Sequence, residues 1–84
     1  MKLTAEQADF LSGEIHSDID IFAQSNKDAR ASFIEERMEE EYSGDWANNS
    51  KKLALAFEDM DDIDELTKQQ IEEIILSVAL DPIA

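Results

Sequence analysis

The chain has 84 residues, of which 21 are Asp or Glu and only seven are Lys or Arg, giving a formal net charge of -14. Charge of that sign argues against nucleic acid or an anionic membrane surface as a ligand, since both would be repelled and no basic stripe is present to release counterions. The absence of cysteine removes disulfides, thiolate zinc sites and cysteine nucleophiles from consideration.

A chain this short implies one domain, burying about 60 to 65% of the surface that its unfolded form exposes. High net charge is also a mark of disorder. Against that stand a hydrophobic fraction of 43%, a single Pro, two Gly and a clear helical periodicity. No apolar run approaches the roughly 20 residues of a membrane span, and Met1-Lys2-Leu3-Thr4 leads straight into a polar segment, so a soluble, cytoplasmic protein is expected. Asn48-Asn49-Ser50 matches a glycosylation sequon and is read as a chance match.

Thr4-Ala5-Glu6-Gln7 has the form of a capping box, which starts a first helix. Ala8, Leu11, Ile15, Ile19 and Phe22 then recur at spacings of three and four, predicting one helix to about Gln24, with Glu14, Asp18 and Asp20 on or beside its outer face. Gly13 weakens that helix by about 1 kcal/mol relative to Ala without ending it. Ser25-Asn26 supplies the next cap, and Ala29, Phe33, Ile34, Met38 and Tyr42 predict a second helix over roughly 27 to 42, closing at Ser43-Gly44.

The second half of that helix reads Glu35-Glu36-Arg37-Met38-Glu39-Glu40-Glu41. Negative charge there lies at the negative end of the helix dipole and costs a few tenths of a kcal/mol per residue, roughly, so helix stability does not explain it. A third helix is expected over about 46 to 60, capped by Asp45 or Ser50 and carrying Leu53, Ala54, Phe57 and Met60. Lys51 and Lys52 are the one adjacent pair of bases in the chain. Leu66-Thr67-Lys68-Gln69-Gln70-Ile71 holds a second capping box, with Leu66 placed to staple onto Ile71. The last helix carries Ile71, Ile74, Ile75, Leu76, Val78, Ala79 and Leu80, apolar around most of its circumference, and closes before Asp81-Pro82. Such a helix is either central to the fold or shared with another subunit, and a homodimer seam through Leu76, Leu80 and Ile83 is the second expectation. The Leu-Thr-x-x-Gln pattern at 3 to 7 and 66 to 70 reflects a shared way of starting helices, because the segments do not align beyond it. The fold class is therefore all-α, a compact bundle of three or four short helices with carboxylates outward.

Two acidic blocks carry the functional argument. Glu58-Asp59-Met60-Asp61-Asp62-Ile63-Asp64-Glu65 holds six carboxylates in eight residues and invites comparison with a calcium loop. Counted from Asp59, Ile63 falls at the fifth position, Asp64 replaces the sixth-position Gly and Gln70 replaces the twelfth-position Glu, so the EF-hand pattern fails. A solvated connection or a partner-facing patch is favoured over weak divalent binding. The other block, Glu35 to Glu41, taken alone reads as an ordinary exposed helix face. Two dense blocks with few bases to pair them make that reading less adequate.

Helix positions three and four apart lie about 5 to 6 Å from each other, on the scale of phosphate spacing along one DNA strand, so rows such as Glu36 with Glu40 or Glu14 with Asp18 can occupy phosphate sites of a basic groove. Tyr42 and Trp46 flank the Gly44 turn and read first as satellite core, second as an apolar anchor within a charged rim. His16 lacks further ligands at metal-site spacing, no Ser lies in a nucleophile motif, and no Gly-rich loop holds phosphate, so no enzyme, cofactor or metal site is expected.

In kind, though not in motif, the chain resembles the small acidic inhibitors that mimic DNA, among them antirestriction and anti-CRISPR proteins of phages and mobile elements. The resemblance implies a partner that is a basic, nucleic-acid-binding protein, occluded by an acidic face. The expected face comprises Glu35, Glu36, Glu39, Glu40, Asp59, Asp61, Asp62, Asp64 and Glu65. An immunity protein or antitoxin against one basic toxin, or a small acidic adaptor, are the alternatives.

Overall fold

The computed structural model describes residues 1–83. Five α-helices, α1 (Ala5–Ser17), α2 (Ile19–Gln24), α3 (Lys27–Glu41), α4 (Ala47–Leu55) and α5 (Lys68–Leu76), with a 3-10 turn at Ile63–Glu65, form an all-α globule with extents of 33 × 23 × 21 Å. No strand occurs among the described residues. The closest-packed pairs are α3 with α4 and α1 with α5; α1 also touches α3, and the 3-10 turn packs on α2. Among the described residues, no helix is long and apolar enough to cross a membrane.

Both capping boxes form. Thr4 Oγ1 accepts from Gln7 N at 3.1 Å while Gln7 Oε1 accepts from Thr4 N at 3.0 Å, and Thr67 with Gln70 repeats this at 3.1 and 2.9 Å. Asn26 caps α3 by accepting from Ala29 N at 2.8 Å. Gly44, at φ 115°, takes the left-handed conformation that lets the chain turn out of α3. Neither expected residue is the cap of α4: Trp46 holds the N-cap position without a side-chain bond, Asp45 one residue earlier accepts from Ala47 N at 3.0 Å, and Ser50 is buried inside the helix with its hydroxyl on Ala47 O.

Three boundaries differ from the sequence reading. The first predicted helix breaks at Asp18 (φ -115°, ψ 35°), giving α1 and α2. The apolar spacing runs unbroken through the break, but α2 is redirected so that Phe22 enters the core and Ile21 faces solvent. The third helix ends at Leu55 rather than 60. Ala56, Phe57 and Glu58 donate to carbonyls three residues back, tightening the chain ahead of Glu58-Asp59, whose charges are unfavourable at a helix C-terminus.

The last helix stops at Leu76. Beyond it, Leu80 N donates to Met1 O at 2.6 Å and the Met1 amino group donates to Leu80 O at 2.8 Å, so the two ends of the chain are paired. Asn49 then fixes the tail, its amide donating to Asp81 O at 2.8 Å and accepting from Asp81 N at 2.9 Å. Asn48, the sequon asparagine, donates to Asp81 Oδ2 at 2.7 Å from the first turn of α4. Leu76, Leu80 and Ile83 consequently share no helical stripe. Leu80 is 4% exposed within the chain's own core, and Leu76 and Ile83 are half-buried against that core.

Phe22 is the hub of the interior. Its ring meets Phe33 and Phe57 edge-on at centroid distances of 5.6 and 5.3 Å, with the Arg30 guanidinium 5.5 Å from its centroid. Arg30 is buried although sequence periodicity had favoured Ala29, which is exposed. Arg30 donates from Nε to Phe22 O at 2.9 Å, from Nη2 to Ala23 O at 2.8 Å and from Nη1 to Phe57 O at 3.2 Å. Its planar fork thus closes the C-terminal end of α2 and ties it to the turn after α4, where helix-dipole charge favours a cation.

Candidate functional site

The site is built from what the bases leave bare. Arg37, the one base inside the first acidic block, leans away from it across the Phe33 ring at 4.3 Å and pairs with Glu14 at 3.4 Å and Asp18 at 3.2 Å. Lys68 pairs with Asp9 at 2.5 Å, Lys52 with Asp81 at 2.9 Å and Lys27 with Glu58 at 4.0 Å. Arg30 is engaged with carbonyls inside the fold. Among the described residues, no ion pair involves any of Glu35, Glu36, Glu39, Glu40, Asp59, Asp61, Asp62, Asp64 or Glu65.

Helical geometry explains the first block. Ile34 and Met38 are fully buried, so Glu36 and Glu40 project from the opposite side of α3, with Glu39 exposed and Glu35 half-buried on one flank. The carboxyl of Glu39 is pushed above its ordinary value, first by desolvation, then by a side-chain hydrogen bond and the charge of Glu35, and then by the charge of Asp45. Asp45 therefore belongs to this cluster across the Gly44 turn. Tyr42 stacks edge-on against Phe10 at 5.8 Å, and its phenol is pushed up by burial and by Glu6, Glu41 and Asp9 in that order. The start of α1 thus adds negative potential to the end of α3. Sequence reasoning missed Glu6 and Asp45, since only tertiary folding brings the two helix ends together.

In the second block a single inward residue sets the geometry. Ile63 is 2% exposed and anchors the 3-10 turn, so Asp61, Asp62, Asp64 and Glu65 face solvent around it, as does Asp59. Packing of this turn on α2 adds exposed Asp20 from the neighbouring element. No group of three or more His, Cys, Asp or Glu side chains is arranged to hold a metal ion among the described residues.

The two blocks do not merge. Glu58 contacts Lys27 and Phe57 O contacts Arg30, which places the second block near the start of α3. At about 1.5 Å per residue, Glu36 and Glu40 stand roughly 13 to 20 Å further along that helix. The arrangement is two bare acidic surfaces toward opposite ends of α3. The Glu14 and Asp18 row is not part of it, because both carboxylates are half-buried beneath Arg37, and only the Glu36 and Glu40 row remains free. Trp46 is 0% exposed and Tyr42 half-buried, so both are core and neither is an exposed anchor. The indole Nε1 of Trp46 is buried with no acceptor among the described residues.

No protein-family model matches the chain, and searches of curated proteins and of solved structures find no significant match.

Proposed function

We propose that the protein is a non-enzymatic inhibitor that mimics DNA, presenting its two acidic surfaces to the nucleic-acid-binding groove of a basic nuclease or DNA-binding protein and occluding it. The observation that supports this most is the distribution of the bases. Four of the seven bases pair with carboxylates and Arg30 is turned onto carbonyls, and apart from Glu58, which meets Lys27, no carboxylate of either dense block is paired among the described residues, which for a chain of net charge -14 raises its self-repulsion without a structural return. A basic groove would relieve that repulsion on binding. The helix and the pinned turn fix the backbone under these carboxylates, so what association must still order is their exposed side chains, at about 0.5 to 1.5 kcal/mol for each one immobilised.

Capture of partners from the native host at low and moderate salt, followed by competition with duplex DNA, tests the reading. Duplex DNA should displace the captured partner, and the triple variant Glu36→Lys, Glu39→Lys, Glu40→Lys should slow association by about tenfold or more while flattening its salt dependence. A partner that stays bound under saturating DNA, or binds independently of salt, contradicts the mechanism. Inhibition of several unrelated DNA-binding proteins marks a mimic, whereas protection against one toxin alone marks an immunity protein.

A further inference from the structure

A depression of about 200 Å³ opens where α1 breaks into α2, lined by Ser17, Asp18, Ile19, Asp20 and Ile21. Part of its wall is apolar. Ile19 is half-buried against the core, and Ile21 is 64% exposed, the highest value among the exposed large apolar residues. Ile21 stands in solvent because the turn at Asp18 gives the inward position of α2 to Phe22. The acidic groups of this lining are Asp18 and Asp20, and it holds no base. Asp18 meets Arg37 at 3.2 Å through Oδ2, whereas exposed Asp20 takes part in no ion pair among the described residues. The 3-10 turn packs on α2, so the second acidic surface borders the depression. Other depressions are lined differently: Lys27 and Lys51 line the one between α3 and α4, and no carboxylate lines the one beside Gly44.

We propose that the depression at the α1–α2 break receives one arginine side chain of the basic partner, its stem over Ile19 and Ile21 and its guanidinium on the Asp20 carboxylate. The proposal rests on the inhibitor reading for that partner and adds where, and through which side chain, it docks. Charge complementarity selects a cation, and the apolar wall selects its shape. The volume holds one side chain and falls below the roughly 300 to 1,000 Å³ of small-molecule sites. A metal ion gains nothing from Ile21, and no group of three ligands is arranged for one among the described residues. A lysine ammonium is a compact, strongly hydrated charge, whereas the guanidinium is planar, weakly hydrated and meets a carboxylate through two parallel N–H bonds. Arg37 shows the same pairing within the chain, lying over the Phe33 ring at 4.3 Å while it reaches Asp18 at 3.2 Å. Arginine forks carboxylate and phosphate alike, so Asp20 stands where a DNA-binding arginine would meet a phosphate.

Titration of the full chain at low salt with two capped peptides of equal charge, hexa-arginine and hexa-lysine, tests the proposal by calorimetry and by amide chemical shifts. Hexa-arginine should bind about fivefold tighter than hexa-lysine and shift the amides of Ser17 to Ile21. Ile21→Ser changes no charge and lies outside the core, so circular dichroism and hexa-lysine affinity should stay unchanged while most of the arginine preference disappears. Asp20→Asn should lower hexa-arginine affinity more than hexa-lysine affinity. Leu55→Ser, at another exposed apolar position, should leave the preference intact. Equal affinity for the two peptides overturns the proposal. So does a preference that survives Ile21→Ser, or a titration that leaves the Ser17 to Ile21 amides unmoved. The inhibitor reading fails separately: a host partner that duplex DNA does not displace overturns that reading, whereas the peptide titration reads the depression alone.

Discussion

Replacement of Arg30 by Met isolates the interaction on which the junction of α2, α3 and the turn after α4 depends. The guanidinium makes three hydrogen bonds to carbonyls, and bonds to a charged group contribute about 1.5 to 3 kcal/mol each. The net loss is smaller than their sum. Phe22 O also accepts from Ser25 N and Phe57 O from Met60 N, both at 3.3 Å, so these two carbonyls keep a partner. Ala23 O accepts from Arg30 alone among the described residues. Removing the cation also removes the cost of burying it, and Met fills most of the stem's volume.

The expected destabilisation is about 2 to 4 kcal/mol, against a total stability of order 5 to 10 kcal/mol for a chain of this size. The midpoint of thermal unfolding should fall by roughly 10 to 25 °C. Urea unfolding followed by circular dichroism and by the fluorescence of Trp46 measures it. A loss below about 1 kcal/mol, within the range of an ordinary surface change, would refute the assignment of Arg30 as the tie. Arg30→Lys supplies the control, because an ammonium keeps the charge but cannot span three carbonyls as the fork does. Recovery of more than half the loss in that variant would place the effect in charge rather than in geometry.

Salt should stabilise the fold, because screening weakens the self-repulsion of the acidic blocks; a thermal midpoint that fails to rise between 20 and 500 mM NaCl, roughly, would contradict their being bare. Acid should act on two carboxylates in opposite senses. Asp81 is held below its ordinary value, first by the hydrogen bond and then by the charge of Lys52, so its stabilisation is full above the unfolded value and lost as pH falls through the folded one. Asp81→Asn should therefore destabilise at neutral pH, with the gap to wild type closing in strong acid. Glu39 is raised, so its penalty appears as pH rises through its folded value, and Glu39→Gln should stabilise at neutral pH and become silent below the ordinary carboxylate range. A pH-independent difference in either pair of unfolding curves would contradict the assignment. Asn49→Ala removes both bonds to Asp81 and should cost about 1 to 2 kcal/mol, with faster exchange of the Asp81 amide; retained protection would show that the tail is held elsewhere.

The helix starts were legible because caps are local chemistry. Thr4 with Gln7, Asn26, and Thr67 with Gln70 each satisfy backbone donors within four residues, and no distant contact is needed to choose them. Apolar spacing likewise identified Leu11, Ile15, Ile34, Met38, Leu53, Ile71 and Ile75, all buried. The exposed positions of the first acidic block followed from the same periodicity, and those of the second from its reading as a solvated connection. What the sequence did not reveal lies where a distant partner overrides the local signal. Ile15, Ile19 and Phe22 keep helical spacing across the break at Asp18, whose side chain is held by Arg37, 19 residues away.

The helix ends were misplaced for a related reason. Leu76 to Leu80 reads as helix, yet the chain leaves it so that Leu80 can pair with Met1 and Asp81 with Asn49. The seven bases show the division most clearly. The sequence by itself determined that they are too few for the acid present, and so that carboxylates must be left bare on an all-helical surface. Only the tertiary structure decided which ones. It drew Arg37 to Glu14 and Asp18, sealed Arg30 against carbonyls and left Glu36 and Glu40 free, because ion pairs form between side chains that folding brings together in space, whatever their order along the chain.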